Sequence, residues 1–174
     1  MHTTTNAERR ADQFARYAQF NRYLCLMRDR AHNEARRSCF VIFEEHSPDT
    51  RGKGRHGNEI WNRFVQFSFE ADRFCLDLPR DTLRPAEAQQ ILRERPGFFY
   101  LRDRPQFTLR GEDVKGHDPF RKMYRYGDEP DAAQDTAYLF FTLWRLPIDA
   151  RLYVSAAPFA GPKQWEYGTP IGGK

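Results

Sequence analysis

The sequence has few cysteines and no long apolar run, and both absences limit what the protein can be. Its 174 residues include three cysteines, Cys25, Cys39 and Cys75, with no C-x-x-C spacing. This odd, scattered set argues against a disulfide framework or a zinc ribbon and favours a reducing compartment. The longest apolar run, residues 137–144, is far shorter than the roughly 20 residues of a membrane span. The start of the chain lacks the apolar stretch of a signal peptide, so we expect a cytoplasmic protein.

Lysine is also scarce, and the excess positive charge is concentrated in one segment. Only five of the 28 basic residues are lysines, and the formal net charge is +4. Residues 1–37 hold eight basic and four acidic residues, so the whole excess lies there, and residues 38–174 are neutral. A basic segment suits an acidic protein, nucleic acid or membrane surface as partner, although a solvated helix face has the same composition.

The stretch Ile60–Leu78 predicts the centre of the fold. Its first half alternates apolar residues with mostly polar ones, which indicates a strand with one buried face. Trp61, Val65, Phe67 and Phe69 share one side of the predicted strand, and Phe64 is the apolar exception among Asn62, Gln66, Ser68 and Glu70 on the other side. After a polar break at residues 70–73 the alternation resumes with Phe74, Leu76 and Leu78. This pattern predicts a hairpin, and because a lone hairpin is only marginally stable, the rest of the chain is expected to cover its apolar face.

The remaining sequence predicts an α+β domain over residues 1–160. Helices are predicted for residues 6–37, 85–95 and 129–146, and further strands for residues 39–45, 98–101, 106–109 and 152–156. The resulting order, α-β-β-β-α-β-(β)-α-β, favours a twisted, mainly antiparallel sheet of about five strands packed by a long N-terminal helix and two others. Residues 111–126 have no clean period and are predicted as a loop with at most one helical turn, at residues 119–123. Residues 161–174, rich in glycine, are predicted as a flexible tail.

The first predicted helix carries both an apolar stripe and exposed arginines. Asn6 is its expected N-cap. The stripe, at i, i+3 and i+4 spacing, includes Phe14, Tyr17, Ala18, Leu24, Met27 and Ala31. Arg9 and Arg16 are predicted to lie off this stripe, on the solvent side.

Several short motifs are spread over about residues 39–156: Phe64-Val65-Gln66-Phe67, Leu83-x-x-x-Glu87-Ala88, Gly97-Phe98, Ala132-Ala133, Leu146-Pro147-Ile148 and Ala150-x-Leu152. Together with the order of elements they resemble the YbjN-like domains, also described as type III secretion chaperone-like (TY-Chap) domains. The resemblance implies an α+β fold and a bacterial, non-catalytic binding module that is often dimeric. This chain differs from secretion chaperones in being basic, whereas they tend to be acidic.

No pattern in the sequence predicts an enzyme. The three cysteines lie in apolar contexts and are interpreted as small hydrophobic residues rather than nucleophiles. No pair of histidines has the i, i+4 or H-x-H spacing of metal ligands, so we expect no metal and no cofactor. Asp49 with Asp113-Val114-Lys115 weakly matches a nuclease pattern of carboxylates and a lysine, but both motifs lie in glycine-flanked loops. A hydrolase is therefore the third hypothesis.

The first hypothesis is a non-enzymatic, chaperone-like module that recognises another protein and can form a homodimer. Its predicted contact residues are Arg9, Arg10, Arg16, Arg36, Arg37 and Phe64. The alternative is a small nucleic-acid-associated protein that uses the same helix together with Arg51, Lys53 and Arg55. Arginine and lysine bind phosphates and aromatic side chains stack on bases, so the composition suits both hypotheses. Steep weakening of binding with salt would indicate the second.

Overall fold

The computed structural model describes residues 5–33, 39–47, 63–79, 82–112, 118–158 and 166–173. It confirms the predicted α+β fold with a long N-terminal helix. The helices are α1 (Asn6–Asn33), α2 (Pro85–Glu94) and α3 (Glu129–Ala137), and a π-helical turn over Tyr138–Leu143 continues α3. The strands are β1 (Cys39–Glu44), β2 (Phe64–Phe69), β3 (Arg73–Leu78), β4 (Phe99–Tyr100), β5 (Phe120–Arg125), β6 (Leu152–Pro158) and β7 (Glu166–Ile171).

All seven strands form one antiparallel sheet in the order β4-β5-β3-β2-β1-β6-β7. Three parts of the sequence interpretation are wrong here. The predicted loop at residues 111–126 contains β5, and the strand predicted at 106–109 is replaced by a 3₁₀ turn, Pro105–Phe107. The segment 161–174, expected to be a flexible tail, contains β7. The sheet therefore has two more strands than the sequence predicts.

The hairpin predicted from the alternation is confirmed. β2 and β3 pair from Gln66 opposite Asp77 to Phe69 opposite Phe74. Val65 and Phe67 are completely buried, which is the burial that the alternation requires. The first residues of the predicted stretch, 60–62, lie outside the described residues.

The three helices cover one face of the sheet, and aromatic rings fill the space between the layers. Phe20 of α1 meets Phe43 of β1 edge-on, with ring centroids 5.1 Å apart, and stacks on Phe140 of the π-helical turn at 6.0 Å. On the sheet, Phe74 stacks on Tyr124 of β5 at 5.0 Å. Truncating a buried phenylalanine to alanine typically costs about 3–5 kcal/mol, so these rings contribute strongly to the stability of the domain.

The opposite face of the sheet is not simply a solvated surface. Ser68, Cys75 and Asp77, which alternate with the core residues of the hairpin, are buried as well. The segment after β4 contributes to that burial, because the carbonyl of Phe107 and the carboxylate of Glu112 hydrogen-bond with Arg121 of β5. Part of this second face therefore forms a second, polar packing layer.

Candidate functional site

The first turns of α1 stand clear of the rest of the described chain. All nine residues 7–15 are exposed, so no side of the helix is packed there. We call residues 7–15 the projecting segment. Its one large apolar side chain, Phe14, is 69% exposed. The predicted stripe is therefore wrong at Phe14, and also at Ala18, which is exposed. The buried side of the helix instead begins at Arg16 and continues through Phe20 and Leu24.

A capping box fixes the start of this helix. The backbone N–H of Thr5 donates to the Glu8 carboxylate at 2.6 Å, and the Glu8 N–H donates to the Thr5 hydroxyl at 3.3 Å. This reciprocal pair satisfies free N–H groups at the helix start, in the place where Asn6 was the expected cap. The same backbone and side-chain hydrogen bonds from Thr5 lower the pKa of Glu8 below its ordinary value. Capping and an alanine- and arginine-rich composition favour the helical state of this exposed segment.

The projecting segment combines an aromatic side chain with two exposed cations. Phe14 lies near Tyr17, with ring centroids 6.4 Å apart, and Arg9 and Arg10 are exposed one to two turns earlier. Aromatic residues and arginine are the side chains most enriched where protein interfaces concentrate their binding energy. An exposed, preformed helix with this composition is chemically suited to binding another macromolecule.

Arg16, which the sequence placed on the same arginine face, is buried. Its side chain is 5% exposed and reaches across to the end of the sheet. Nη1 donates to the carbonyl of Ile171 at 3.2 Å and to the side chain of Gln19 at 3.1 Å, and Nη2 donates to the carbonyl of Ala150 at 3.0 Å. The prediction that Arg16 belongs to a solvent-facing contact surface is therefore wrong. The residue instead joins α1 to the last strand.

The other predicted contact residues are not brought together with the projecting segment. Phe64 is half-buried at the start of β2, paired with Glu44 of β1 on the sheet. Arg36, Arg37, Arg51, Lys53 and Arg55 lie outside the described residues. Of the predicted set, only Arg9 and Arg10 therefore accompany Phe14. A partial signal for Phe14 is present in the sequence, because at 3.6 residues per turn it lies about 110° around the helix from the row formed by Phe20, Leu24 and Met27.

A buried arginine forms the centre of the polar layer on the second face of the sheet. Arg121 is completely buried and holds Asp77 through two hydrogen bonds of 2.7 and 2.8 Å. It also donates to Glu112 at 2.7 and 3.0 Å and to the carbonyl of Phe107 at 2.8 Å. Burial lowers the pKa of Arg121, but the bonds to the two carboxylates outweigh it and leave that pKa above its ordinary value. All of its nitrogens are used, so the cluster is structural.

A second buried carboxylate lies between the helices and β5. Asp135 of α3 is fully buried and accepts hydrogen bonds from Arg95, from Lys122 at 2.6 Å and from the Tyr124 hydroxyl at 2.6 Å. Burial, followed by the charge of Asp135, raises the pKa of Tyr124 well above its usual range, so the phenol stays protonated. This cluster ties α3 to the end of α2 and to the sheet, and it offers no open position for a substrate.

The structure describes some of the residues that the sequence offered as nucleophiles or metal ligands. Burial raises the pKa of Cys25, and it raises the pKa of the enclosed Cys75 thiol further, which suppresses the nucleophilic thiolate of both. Within the described ranges, no three His, Cys, Asp or Glu side chains are grouped to hold a metal ion. The residues of the nuclease-like pattern, Asp49, Asp113 and Lys115, lie outside those ranges.

A small cavity lies where α2 begins. Its volume is about 140 Å³, and it is lined by Leu83, Arg84, Pro85, Ala88, Tyr100 and Phe120. Pockets that enclose a cofactor or drug-sized ligand are typically about 300–1,000 Å³. The N–H of Arg84 already donates to the Glu87 carboxylate at 2.8 Å, so the start of the helix is capped by the protein itself. The cavity suits a single side chain better than a substrate.

Neither a membrane-spanning helix in the described residues nor a relative among known proteins was found. In the described part of the chain, no helix combines the length and apolar character needed to cross a bilayer. No protein family, no curated protein and no solved structure matches the sequence or the fold.

Proposed function

We propose that the protein is a non-enzymatic, secretion-chaperone-like module that recognises another protein through the projecting segment of α1. We place it in the bacterial cytoplasm, in line with the resemblance to the YbjN-like domains. The observation that carries the proposal is the nine-residue helical segment that no part of the described chain covers and that exposes 69% of Phe14.

The projecting segment is already helical before a partner binds it. A helix of nine residues is unstable by itself in water, because nucleation is costly and isolated helices need about 12–15 residues. Here the packed part of α1 supplies the nucleus and the capping box fixes the free end. A partner therefore meets a helix that is already ordered and loses little conformational entropy on binding it. Burying the Phe14 ring contributes roughly 1–3 kcal/mol to such a complex.

The charged residues of the described chain favour a binding role over a catalytic one. The buried groups that most resemble reactive residues, Arg121 and Asp135, are saturated by protein partners. Arg9 and Arg10 are exposed on the projecting segment together with Glu8 and Asp12, so the segment has no net formal charge, and the arginines contribute as local hydrogen-bond donors to a partner's acidic groups. The nucleic-acid alternative depends on the same two arginines and on residues outside the described ranges. Its discriminating property is a steep decrease in affinity with salt.

A photo-cross-linking experiment tests the proposal in the native cell. A photoreactive phenylalanine analogue is placed at position 14 in one protein and at position 92 in another, since Leu92 on α2 is also exposed, at 41%. We expect a specific protein adduct from position 14 and none from position 92. The adduct is identified by mass spectrometry and the partner purified. Its affinity for the Phe14→Glu protein is then expected to fall at least about tenfold, and to be unchanged for Leu92→Glu.

Three outcomes of this experiment would contradict the proposal. Adducts that disappear on nuclease treatment would support the nucleic-acid alternative. Equal adducts from both positions would indicate non-specific contact. An affinity that is insensitive to Phe14→Glu would show that the partner binds elsewhere on the protein. An adduct with a second copy of this chain would identify the partner as the protein itself.

A further inference from the structure

β7 lies at the edge of the sheet, and several of its features limit how well it pairs with β6. Of its six residues only Ile171 is buried. Gly168 has a φ of 58°, and the register with β6 shifts between Val154 and Ala156. Pro170 has no N–H to donate, which limits the hydrogen bonds that the strand can form. β7 therefore has the properties of a strand that a better-fitting extended segment can replace.

The neighbouring strand β6 needs a partner on that side. Leu152 and Val154 are completely buried, and Ala156 is 2% exposed, so β6 belongs to the core. Without β7 its main-chain N–H and C=O groups would lie unpaired at a sheet edge. Such an edge readily accepts an extended peptide, which gains affinity from main-chain hydrogen bonds and specificity from alternate side chains.

Arg16 closes one end of this site, and among the described residues it forms no salt bridge. Nη1 and Nη2 bind only uncharged oxygens, including the carbonyl of Ile171, and the ring of Phe141 lies 5.2 Å from the guanidinium. Its Nε is buried without a hydrogen-bond partner. No carboxylate of the described residues hydrogen-bonds with it, although Asp149 is close enough to raise its pKa slightly against the larger lowering by burial. A 95% buried cation in this state has unused capacity to bind an anion.

A terminal carboxylate fits this position better than the present carbonyl. The chain that follows Ile171 passes directly against the guanidinium, since a Cβ on Gly172 would lie 1.3 Å from Nη1 of Arg16. A chain that ended at the position of Ile171 would place its second carboxylate oxygen beside this guanidinium. Pairs of arginine and carboxylate form two charge-assisted hydrogen bonds, which are roughly twice as strong as neutral ones.

We propose that the outer edge of β6 and Arg16 form a docking groove for the carboxyl-terminal end of a partner protein. The occupant is an extended segment with an aliphatic last residue, which takes the place of Ile171 while its carboxylate pairs with Arg16. β7 fills the groove in the free protein. The inference rests on the proposed function in that the ligand is a protein, but it concerns a different surface from Phe14.

Peptide binding to the full-length protein tests this groove. The probe is a fluorescent hexapeptide with the sequence of β7, Glu-Tyr-Gly-Thr-Pro-Ile, made either with a free carboxylate or as the amide. It is titrated into the wild-type protein and into Ile171→Ser, which removes the one buried side chain of β7. A tethered strand competes at an effective concentration in the millimolar range, so the wild-type protein is expected to bind the peptide at least about tenfold more weakly than Ile171→Ser does.

The carboxylate preference is the specific readout. We expect Ile171→Ser to bind the free acid at least about tenfold more tightly than the amide. Adding Arg16→Gln is expected to reduce this ratio to about one, and adding Arg16→Lys to retain part of it, because lysine keeps the charge without the planar fork. The acid-to-amide ratio is measured within each protein, so it is insensitive to a loss of stability. Circular dichroism verifies that each variant is folded.

Equal affinity for the acid and the amide would overturn the proposal, as would the absence of binding to a folded Ile171→Ser protein at millimolar peptide. A wild-type dimer in which β7 of each copy fills the groove of the other would replace the proposed occupant with a second copy and would also overturn it. Cross-linking from Phe14 is independent of all these results, so a failure here leaves the proposed function standing and is distinguishable from its failure.

Discussion

Replacing Arg121 by methionine is expected to destabilise the domain severely. Arg121 forms a bidentate ion pair with the buried Asp77, and it compensates Glu112 as well. Methionine preserves most of the apolar volume but leaves two largely buried carboxylates without their cation. Breaking a buried ion pair from one side typically costs about 3–5 kcal/mol, so we expect a loss of about 4 kcal/mol in the free energy of unfolding.

Urea denaturation followed by circular dichroism measures this loss. With a denaturant dependence of about 2 kcal/mol per molar for a small protein, the midpoint should fall by about 2 M. The matched control is Arg102→Met, since Arg102 is 54% exposed and its contact with Asp118 is 3.4 Å long. Exposed pairs contribute about 0–1 kcal/mol, so the control should lower the free energy of unfolding by less than about 1 kcal/mol.

A double variant tests the reason for the loss rather than its size alone. Arg121→Met combined with Asp77→Leu removes the cation together with its most buried carboxylate, and the partly exposed Glu112 can turn towards solvent. We expect the double variant to be about 2 kcal/mol more stable than Arg121→Met alone. A loss below about 1 kcal/mol for Arg121→Met, or strictly additive effects in the double variant, would refute the reasoning.

Three further predictions concern the contact between Gly172 and Arg16, the cap at the start of α1, and the hydrogen bonds of Asp135. Gly172→Ala places a Cβ 1.3 Å from Arg16 at a φ of 66°, whereas the control Gly111→Ala meets no atom within 4 Å at a φ of 81°. We expect Gly172→Ala to lower the free energy of unfolding by about 1–3 kcal/mol more than Gly111→Ala does. Equal losses in the two variants would contradict the contact with Arg16. The pKa of Glu8 in the folded protein lies below its ordinary value of 4.5, so the stabilisation by its cap is complete above pH 4.5 and is lost as the pH falls through the folded-state pKa. The carbon chemical shifts of residues 7–15, measured by NMR, should lose helical character over that range. Unchanged shifts would show that the cap does not stabilise the helix. Asp135→Asn should cost about 3 kcal/mol in urea denaturation, and a loss below about 1 kcal/mol would show that its charge is not needed.

The hairpin and the helices could be predicted from the sequence because their signals are local. Val65, Phe67, Phe74 and Leu76 recur with period two on either side of a polar break, and this periodicity depends on no distant residue. Pro85 at the start of α2 is a similarly local signal. The fold class followed from these elements.

β5 and β7 were missed because their residues carry no such alternation. In β5 the polar side chain of Arg121 points away from the helices and is buried all the same, since it pairs with Asp77, 44 residues earlier in the sequence. Nothing in the local pattern distinguishes this arginine from an exposed one. In β7, Gly168 and Pro170 favour a loop by their propensities, and pairing with the core strand β6 overrides them.

The candidate site was only partly predictable for the same reason. The exposed arginines Arg9 and Arg10 were expected from the charge distribution. However, the stripe drawn through Phe14 treated the whole helix as packed, and only the structure shows that packing begins at Arg16. The burial of Arg16 depends on the carbonyl of Ile171, 155 residues away. Contacts over such separations leave no local trace in the sequence.

Hydrogen exchange of α1 in the free protein and in complex with the cross-linked partner tests the central claim most directly. In the free protein the amides of residues 7–15 should exchange much faster than those of the core strands, because their side chains are all exposed. On binding we predict that their exchange slows at least about tenfold while exchange in β1, β2 and β3 is unchanged. Unaltered exchange in residues 7–15, with protection around Phe64 instead, would contradict the proposal that the partner docks on the projecting segment.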